Sequence, residues 1–306
     1  MSSRSTYLPF IAFCSLGIIW GSNFIYMKMA ADLISPLQIV FYRVLFGFVP
    51  VFIYALYCRA LSWHHLKHTP HFMVMALLAT TVYFYCFVKG TSLLLSGIAG
   101  AVSGAIPLFS FLLALAFIDD EKGGIVKSLG ILIGFAGVAL ITRPSGVDLS
   151  ENTLEGVAYM AVGSLSVGAS FVYAKKFIIP LRISAAALTT YQLGIGLFML
   201  ALVTDFQGIE RILTDACASV GLLVGLGLLG TGIAYILYYY IVERLGAVTA
   251  SSVTYIPPIV ALLIGAVVVG EPISPLDYAA TSLIFVGVFL LKNSEHTVRN
   301  LKLTRN

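Results

Sequence analysis

An all-α polytopic membrane fold, with ten transmembrane helices in two inverted five-helix repeats, is predicted by three observations on this 306-residue sequence. Apolar residues make up 59% of the chain and charged residues only 10%, where a soluble domain carries about a quarter charged. Apolar runs of roughly 20 residues, enough to cross a bilayer core of about 30 Å, recur about ten times. Displacing the sequence by 150 residues then places Tyr85 on Tyr235, Leu95 on Leu245, Gly100 on Ala250, Pro107 on Pro257, Glu121 on Glu271 and Gly137 on Gly287 without a gap. Ten spans leave about ten residues per connection, so no separate soluble catalytic or nucleic-acid-binding domain fits.

The spans run in order along the chain. The first, 7–30, comes after a single arginine and lacks a small-residue cleavage pattern, so it reads as a retained helix. The second, 37–58, opens just after Pro36, a favoured place for proline. The third, fourth and fifth are read at 72–88, 91–118 and 125–142. A polar stretch, 143–155, separates the two repeats, 1–150 and 151–306. The remaining spans are 156–174, 184–204 after Pro180, 216–240, 247–269, and 276–291 after Pro272 and Pro275. Pro50, Pro107, Pro257 and Pro258 fall inside spans, where a freed carbonyl is tolerated only against protein or a polar cavity.

Charge sets the orientation. With both termini cytoplasmic, thirteen of the 18 Lys and Arg residues lie inside; Lys28, Lys89, Arg143 and Arg211 lie outside, and Arg43 lies within a span. The formal net charge, +4, is modest. Because five is odd, the second repeat enters the membrane reversed, which sets Glu121 and Glu271 at opposite faces. Inverted halves that exchange conformations open a central site first to one side and then to the other, which is the physics of a transporter. Cys14, Cys58, Cys86 and Cys217 have no CxxC spacing and are expected to be small buried hydrophobes, with no disulfide or metal role.

Candidate substrate contacts are polar or aromatic groups at membrane depth. Trp20, Asn23 and Tyr26 share one helix face, beside Gly17 and Gly21, a pair that also suits close packing. Arg43 sits about 10 Å inside the second span, where lipid exposure is costly; a cavity guanidinium suits a carboxylate or phosphate, and a structural link is the alternative. Tyr85 and Tyr235 lie deep enough to need partners and are expected in the cavity wall. Ser103 with Pro107, and Tyr255 with Pro257, mark a hinge or a static kink in each repeat, Pro107 and Pro257 being the gating candidates. Ser166, Ser170, Tyr173, Tyr191 and Gln192 mirror the polar set of the first half, with Gln192 the neutral counterpart of Arg43. Together these predict a ligand that is a small zwitterion or amphipathic organic acid.

Two motif matches are set aside. Gly225-Leu226-Gly227-Leu228-Leu229-Gly230 fits GxGxxG but lies inside an apolar span without a preceding strand, so it reads as close packing. His64, His65, His68 and His71 read as a solvated or headgroup-facing connection, not a metal site. No catalytic set, cofactor or metal is expected, so the chain reads as a non-enzyme.

The run Trp20-Gly21-Ser22-Asn23-Phe24, the ten spans, the repeat of five and the proline-to-glutamate spacing at 107–121 and 257–271 resemble the drug/metabolite transporter superfamily, specifically its EamA-like ten-helix members. The resemblance covers about residues 7–292. It implies a bacterial inner-membrane permease with a central cavity between its halves, moving small organic solutes such as amino acids, often outward. Trp20, Asn23, Arg43, Tyr85, Pro107, Tyr235 and Pro257 occupy the matching positions. Uptake by the same class of permease and a channel are the alternatives. The expected partners are a small-molecule substrate and the lipid bilayer, without nucleic acid, in a monomer or homodimer.

Overall fold

A computed structural model describes residues 4–118, 124–141, 151–245 and 252–303, and every regular element among them is helical. Among the described residues ten apolar helices, with short 3-10 turns between some of them, succeed one another: α1 (Arg4–Ala31), α2 (Pro36–Tyr57), α3 (69–93), α4 (Ser96–Phe117), α5 (Ile125–Ile141), α6 (Asn152–Leu181), α7 (Ala185–Val203), α8 (Ala216–Arg244), α9 (Val253–Val269) and α10 (Pro275–Leu303). Seven are long and apolar enough to cross a membrane, while Ile125–Leu140, Val253–Val269 and Pro275–Leu290 are shorter apolar helices. Glu121, Arg143, Ala250 and the expected repeat boundary at residue 150 lie outside the described residues.

Local chemistry starts the helices. Ser35 caps α2 in a reciprocal capping box with Gln38, behind Pro36 in the first turn. Ser184 caps α7, Asp215 caps α8, and Ser274 exchanges bonds with Asp277 at the head of α10. The start of α4 is capped from a distance. Glu271, in the α9–α10 connection, accepts from Ser96 N (2.7 Å), Ser96 Oγ (2.7 Å) and Gly97 N (2.9 Å). Gly270, at φ +74°, turns the chain so that this carboxylate points back at α4. The spacing from Pro257 to Glu271 therefore has a structural reason, since it runs from the head of one helix of the second repeat to a cap on a helix of the first.

Helices in equivalent places of the two halves cross antiparallel. In the α5–α10 pair Gly137 rests on Ala280 and Ile284, and Gly287 rests on Gly130 and Gly134; moving Gly137 forward and its two partners back by 150 residues turns the first contact into the second. In the α4–α9 pair Gly97 faces Leu262, Gly100 faces Ala261 and Gly104 faces Pro258. In the α2–α7 pair Gln38 Nε2 donates to Asp205 O (2.7 Å) and Gln207 O (3.0 Å), and Phe48 lies against Gly194. The packing of α1 on α8 and α9 is matched by that of α6 on α3 and α4. Such exchange is what a two-fold axis lying between the halves requires.

Several expectations need correction. The third and fourth spans divide at Leu94–Leu95, later than expected, so α3 reaches Leu93 and α4 begins at Ser96. A corner built from two leucines is invisible to hydropathy; the remote Glu271 cap makes it tolerable. Pro107 and Pro257 do not kink continuous helices: α4 is interrupted at Gly104–Ala105, and each proline stands in the first turn of the segment it opens, where its missing N–H costs nothing. Of the four cysteines only Cys86 is buried; Cys58 and Cys217 are exposed because they lie at span ends, and all four are free thiols.

The buried side chains form one large cluster, including Met27, Val40, Val44, Phe84, Leu193 and Leu222, and two small ones. Both small clusters lie toward the end of the bundle at which α1 begins, termed the N-side. One joins α1, α8 and α9 around Leu16, Ala234 and Val253. The other joins α3, α6 and α7 around Met75, Ala79 and Ile178.

Candidate functional site

Four helices converge on Arg43. α2 carries the guanidinium into the bundle, where the residue is only 5% exposed. Its Nε donates to Thr231 Oγ1 on α8 at 3.0 Å, its Nη1 approaches Met27 Sδ on α1 at 3.9 Å, and its Cζ sits 3.7 Å from the ring centroid of Phe84 on α3. Tyr83 packs on Phe84 at 5.0 Å between ring centroids, and Tyr235 packs against the same buried cluster as Phe84. The ion pair found among the described residues, Lys89 with Glu155 at 3.9 Å, is elsewhere. Asn23 stands one helical turn before Met27 on α1, is 4% exposed, and has a buried Oδ1 with no hydrogen-bond partner, lying where a Cβ on Gly230 would collide with it. A desolvated cation with no carboxylate partner among the described residues, and an unpaired buried acceptor against Gly230, the neighbour of Thr231, are a costly arrangement that a ligand with complementary groups relieves.

This arrangement has a twin in the other half. Gln192 Nε2 on α7 donates to Thr80 Oγ1 on α3 at 2.9 Å, as Arg43 on α2 donates to Thr231 on α8. The likeness extends one turn further. Gly47, four residues after Arg43, rests on the Thr231 methyl, and Gly196, four residues after Gln192, rests on the Thr80 methyl. Both threonines lie in π-helical stretches, Leu77–Thr81 in α3 and Gly221–Ile233 in α8. A π-helix moves the hydrogen bond to i−5, and Thr231 Oγ1 bonds to Leu226 O at 3.1 Å in that register. In α3, Ser166 Oγ from α6 reaches Leu78 O at 2.7 Å. The repeat offset here is 149 residues for Arg43 and Gln192 and 151 for Thr80 and Thr231, so the 150 that relates Pro107 to Pro257 and α5 to α10 does not hold without gaps around Arg43.

Sequence reasoning placed Tyr85 and Tyr235 in the cavity wall; from that stretch of α3 the structure brings Phe84 to Arg43, with Tyr83 packed on Phe84. Tyr85 turns toward Tyr159 of α6, at 6.2 Å between ring centroids. The wider π-helical turn rotates the rest of α3 about its axis, a shift that a straight 3.6-residue count misses. Arg43 thus comes together with Met27, Phe84 and Thr231, while Asn23 lies against Gly230 beside Thr231 and Tyr235 packs in the same cluster; Met27, Tyr83, Phe84 and Thr231 were not singled out by the sequence.

Other candidates lie elsewhere. Tyr26 covers Gly221 and Gly225 of α8, and Trp20 packs on Tyr238 at 6.0 Å in the N-side cluster. Ser103 and Ser170 bond back to their own helices, at Gly100 O (2.6 Å) and Val167 O (2.7 Å). Tyr173 bonds to His71 Nδ1 at 2.7 Å. Tyr255 packs at the edge of the main cluster. Gly17 and Gly21 meet Ile256 and Val260 of α9, so that flank is a helix crossing. Gly227 and Gly230 pack on Phe46 and Asn23, the packing role expected for the GxGxxG match. The histidine connection is docked on its neighbours, His65 against the Tyr191 ring and His71 against Tyr173 and Phe177. No group of three potential metal ligands occurs among the described residues. At the far side a cavity of about 350 Å³ is bordered by Asp32, Gln38, Asp205 and Arg211.

A helical bundle of apolar spans, symmetric about an axis between its halves and holding polar groups at depth, defines the class of polytopic membrane transporters. The chain belongs to the EamA-like transporter family, which matches residues 8–143 and 154–292. It is similar to the uncharacterised inner membrane transporter YedA of Escherichia coli strain K12, 27% identical over 95% of this chain and 92% of that protein. An uncharacterised transporter of Archaeoglobus fulgidus is 23% identical over 89% of this chain and 94% of its own. A chloroplastic WAT1-related protein of Arabidopsis thaliana is 21% identical over 95% of this chain and 71% of its own. A crystal structure with TM-score 0.61 and 18% identity, covering 93% of this chain and 97% of that one, shares the fold.

Proposed function

We propose that this transporter exports small organic solutes, amino acids or related zwitterions and organic acids, by alternating exposure of a site around Arg43. The exchange-related pairs Arg43–Thr231 and Gln192–Thr80 carry the reading, because two equivalent latches on antiparallel helices are what exchangeable halves need. The division of the buried core into two clusters at the N-side supports a conformation in which that side is the more open. The thirteen positive charges assigned to that side favour the cytoplasm there, in a bacterial inner membrane. A metabolite comparison of cells with and without the protein, followed by flux assays on the compounds that move, tests the proposal. Faster loss of such compounds from expressing cells is expected. Intracellular and extracellular pools that never differ would overturn it.

A further inference from the structure

We infer that positions 43 and 192 form an exchange-related pair that reads the charge of the solute: one anion station and one neutral twin, selecting solutes with a single negative group. The inference rests on the transport reading and deepens it. Arg43 and Gln192 make the same kind of bond to equivalent threonines, above equivalent glycines, from equivalent helices, and differ in charge. Because α2 and α7 run antiparallel, with Phe48 beside Gly194, the two positions lie about seven residues, or roughly 10 Å, apart along the bundle. They stand on either side of its middle.

The chemistry fixes the charge. Arg43 is buried with a thioether, an aromatic face and a hydroxyl around it, none of which neutralises a guanidinium. The unpaired Oδ1 of Asn23 is an acceptor and cannot neutralise it either. One planar fork beside no second cation matches a carboxylate monoanion, which leaves the occupied site neutral. A phosphate dianion would leave an excess negative charge in a desolvated place. At the other station an amide bonds an uncharged group and repels neither sign, so the solute passes Gln192 without a second electrostatic hold. Two arginines would bind an anion at both stations and slow its release; two glutamines would not select it at all.

The full-length protein in detergent is tested by thermal unfolding against matched acids and amides, phenylacetate with phenylacetamide and N-acetyl-L-leucine with its amide, and against phenyl phosphate. The acids are expected to stabilise the wild type and the amides and phenyl phosphate to do so at least 10-fold more weakly in concentration. Arg43→Gln should raise the half-saturating concentration of the acids at least 10-fold, Arg43→Lys by less. Adding Gln192→Arg to Arg43→Gln should return it to within about threefold of wild type. Size-exclusion profiles establish that each variant is folded, and Arg43→Lys keeps the test open should the double variant fail that check. Acids and amides acting alike, acid binding within twofold of wild type in Arg43→Gln, or a folded double variant without recovery would each overturn the inference. Stabilisation by none of the probes overturns the charge assignment for solutes of this size; the metabolite comparison reports separately on whether solute is moved at all.

Discussion

Removing the carboxylate at position 271 should loosen the head of α4 by an amount set by the two backbone donors it caps. In Glu271→Ala the backbone N–H groups of Ser96 and Gly97 lose their acceptor in a place where Ser96 is only 1% exposed. Each buried unpaired donor costs about 1–3 kcal/mol, and loss of negative charge at a helix N-terminus adds about 0.3–1 kcal/mol. The central figure is about 4.6 kcal/mol. At about 2 °C per kcal/mol, the lower slope found for large domains, the unfolding midpoint falls by roughly 9 °C. Glu271→Gln keeps one acceptor oxygen but opposes an NH₂ group to the second donor, and should cost about half as much. Thermal unfolding in one detergent, with wild type and both variants side by side, is the assay. A fall of less than about 2 °C for the alanine variant would mean that water replaces the carboxylate and that the remote cap does not hold the corner at Leu94–Leu95.

The same geometry sets other outcomes. Thr231→Val keeps the shape of the side chain but deprives Arg43 Nε of its acceptor, so flux at subsaturating solute should fall about 10-fold; Thr80→Val, whose donor is a neutral amide, should fall less. Cys58 and Cys217 are exposed at opposite ends of the bundle, so a membrane-impermeant maleimide should label Cys217 and spare Cys58 in intact cells; the reverse pattern would invert the orientation. Pro107→Ala and Pro257→Ala allow each interrupted helix to run on, and should shift side-specific labelling of single cysteines in opposite directions; unchanged labelling at parental flux would make both prolines static. Gly225→Leu drives a side chain into Tyr26, and should lower the yield of folded protein severalfold on size exclusion.

Much of the fold was legible because hydropathy and a repeat are long-range signals. The helices, the division into two halves and the inversion needed only the count of spans and the 150-residue repeat. The corner at Leu94–Leu95 was not legible, since leucine is as common in a helix as in this turn, and its cap comes from Glu271, far away in sequence. Arg43 stood out because an arginine at depth is expensive. Gln192 stood out only as its counterpart. Tyr83 and Phe84 were missed in favour of Tyr85 because the π-helical stretch ending at Thr81 changes the face that α3 presents. Thr80 and Thr231 carry no signal by themselves in a membrane helix; an alignment of the two halves that allowed one-residue shifts around Arg43 and Gln192 would have paired them.

Counter-flow in proteoliposomes tests the central claim, that two exchangeable halves carry solute past Arg43. Vesicles holding the purified protein are loaded with a high concentration of one unlabelled compound that the metabolite comparison identifies, then diluted into a trace of the same compound bearing a label. A carrier with an alternately exposed site accumulates label transiently above the outside concentration, and the overshoot should be saturable and at least 10-fold smaller in Arg43→Gln at low solute. Equilibration without overshoot in the wild type would indicate a pore, and an overshoot that Arg43→Gln leaves unchanged would remove Arg43 from the solute's path.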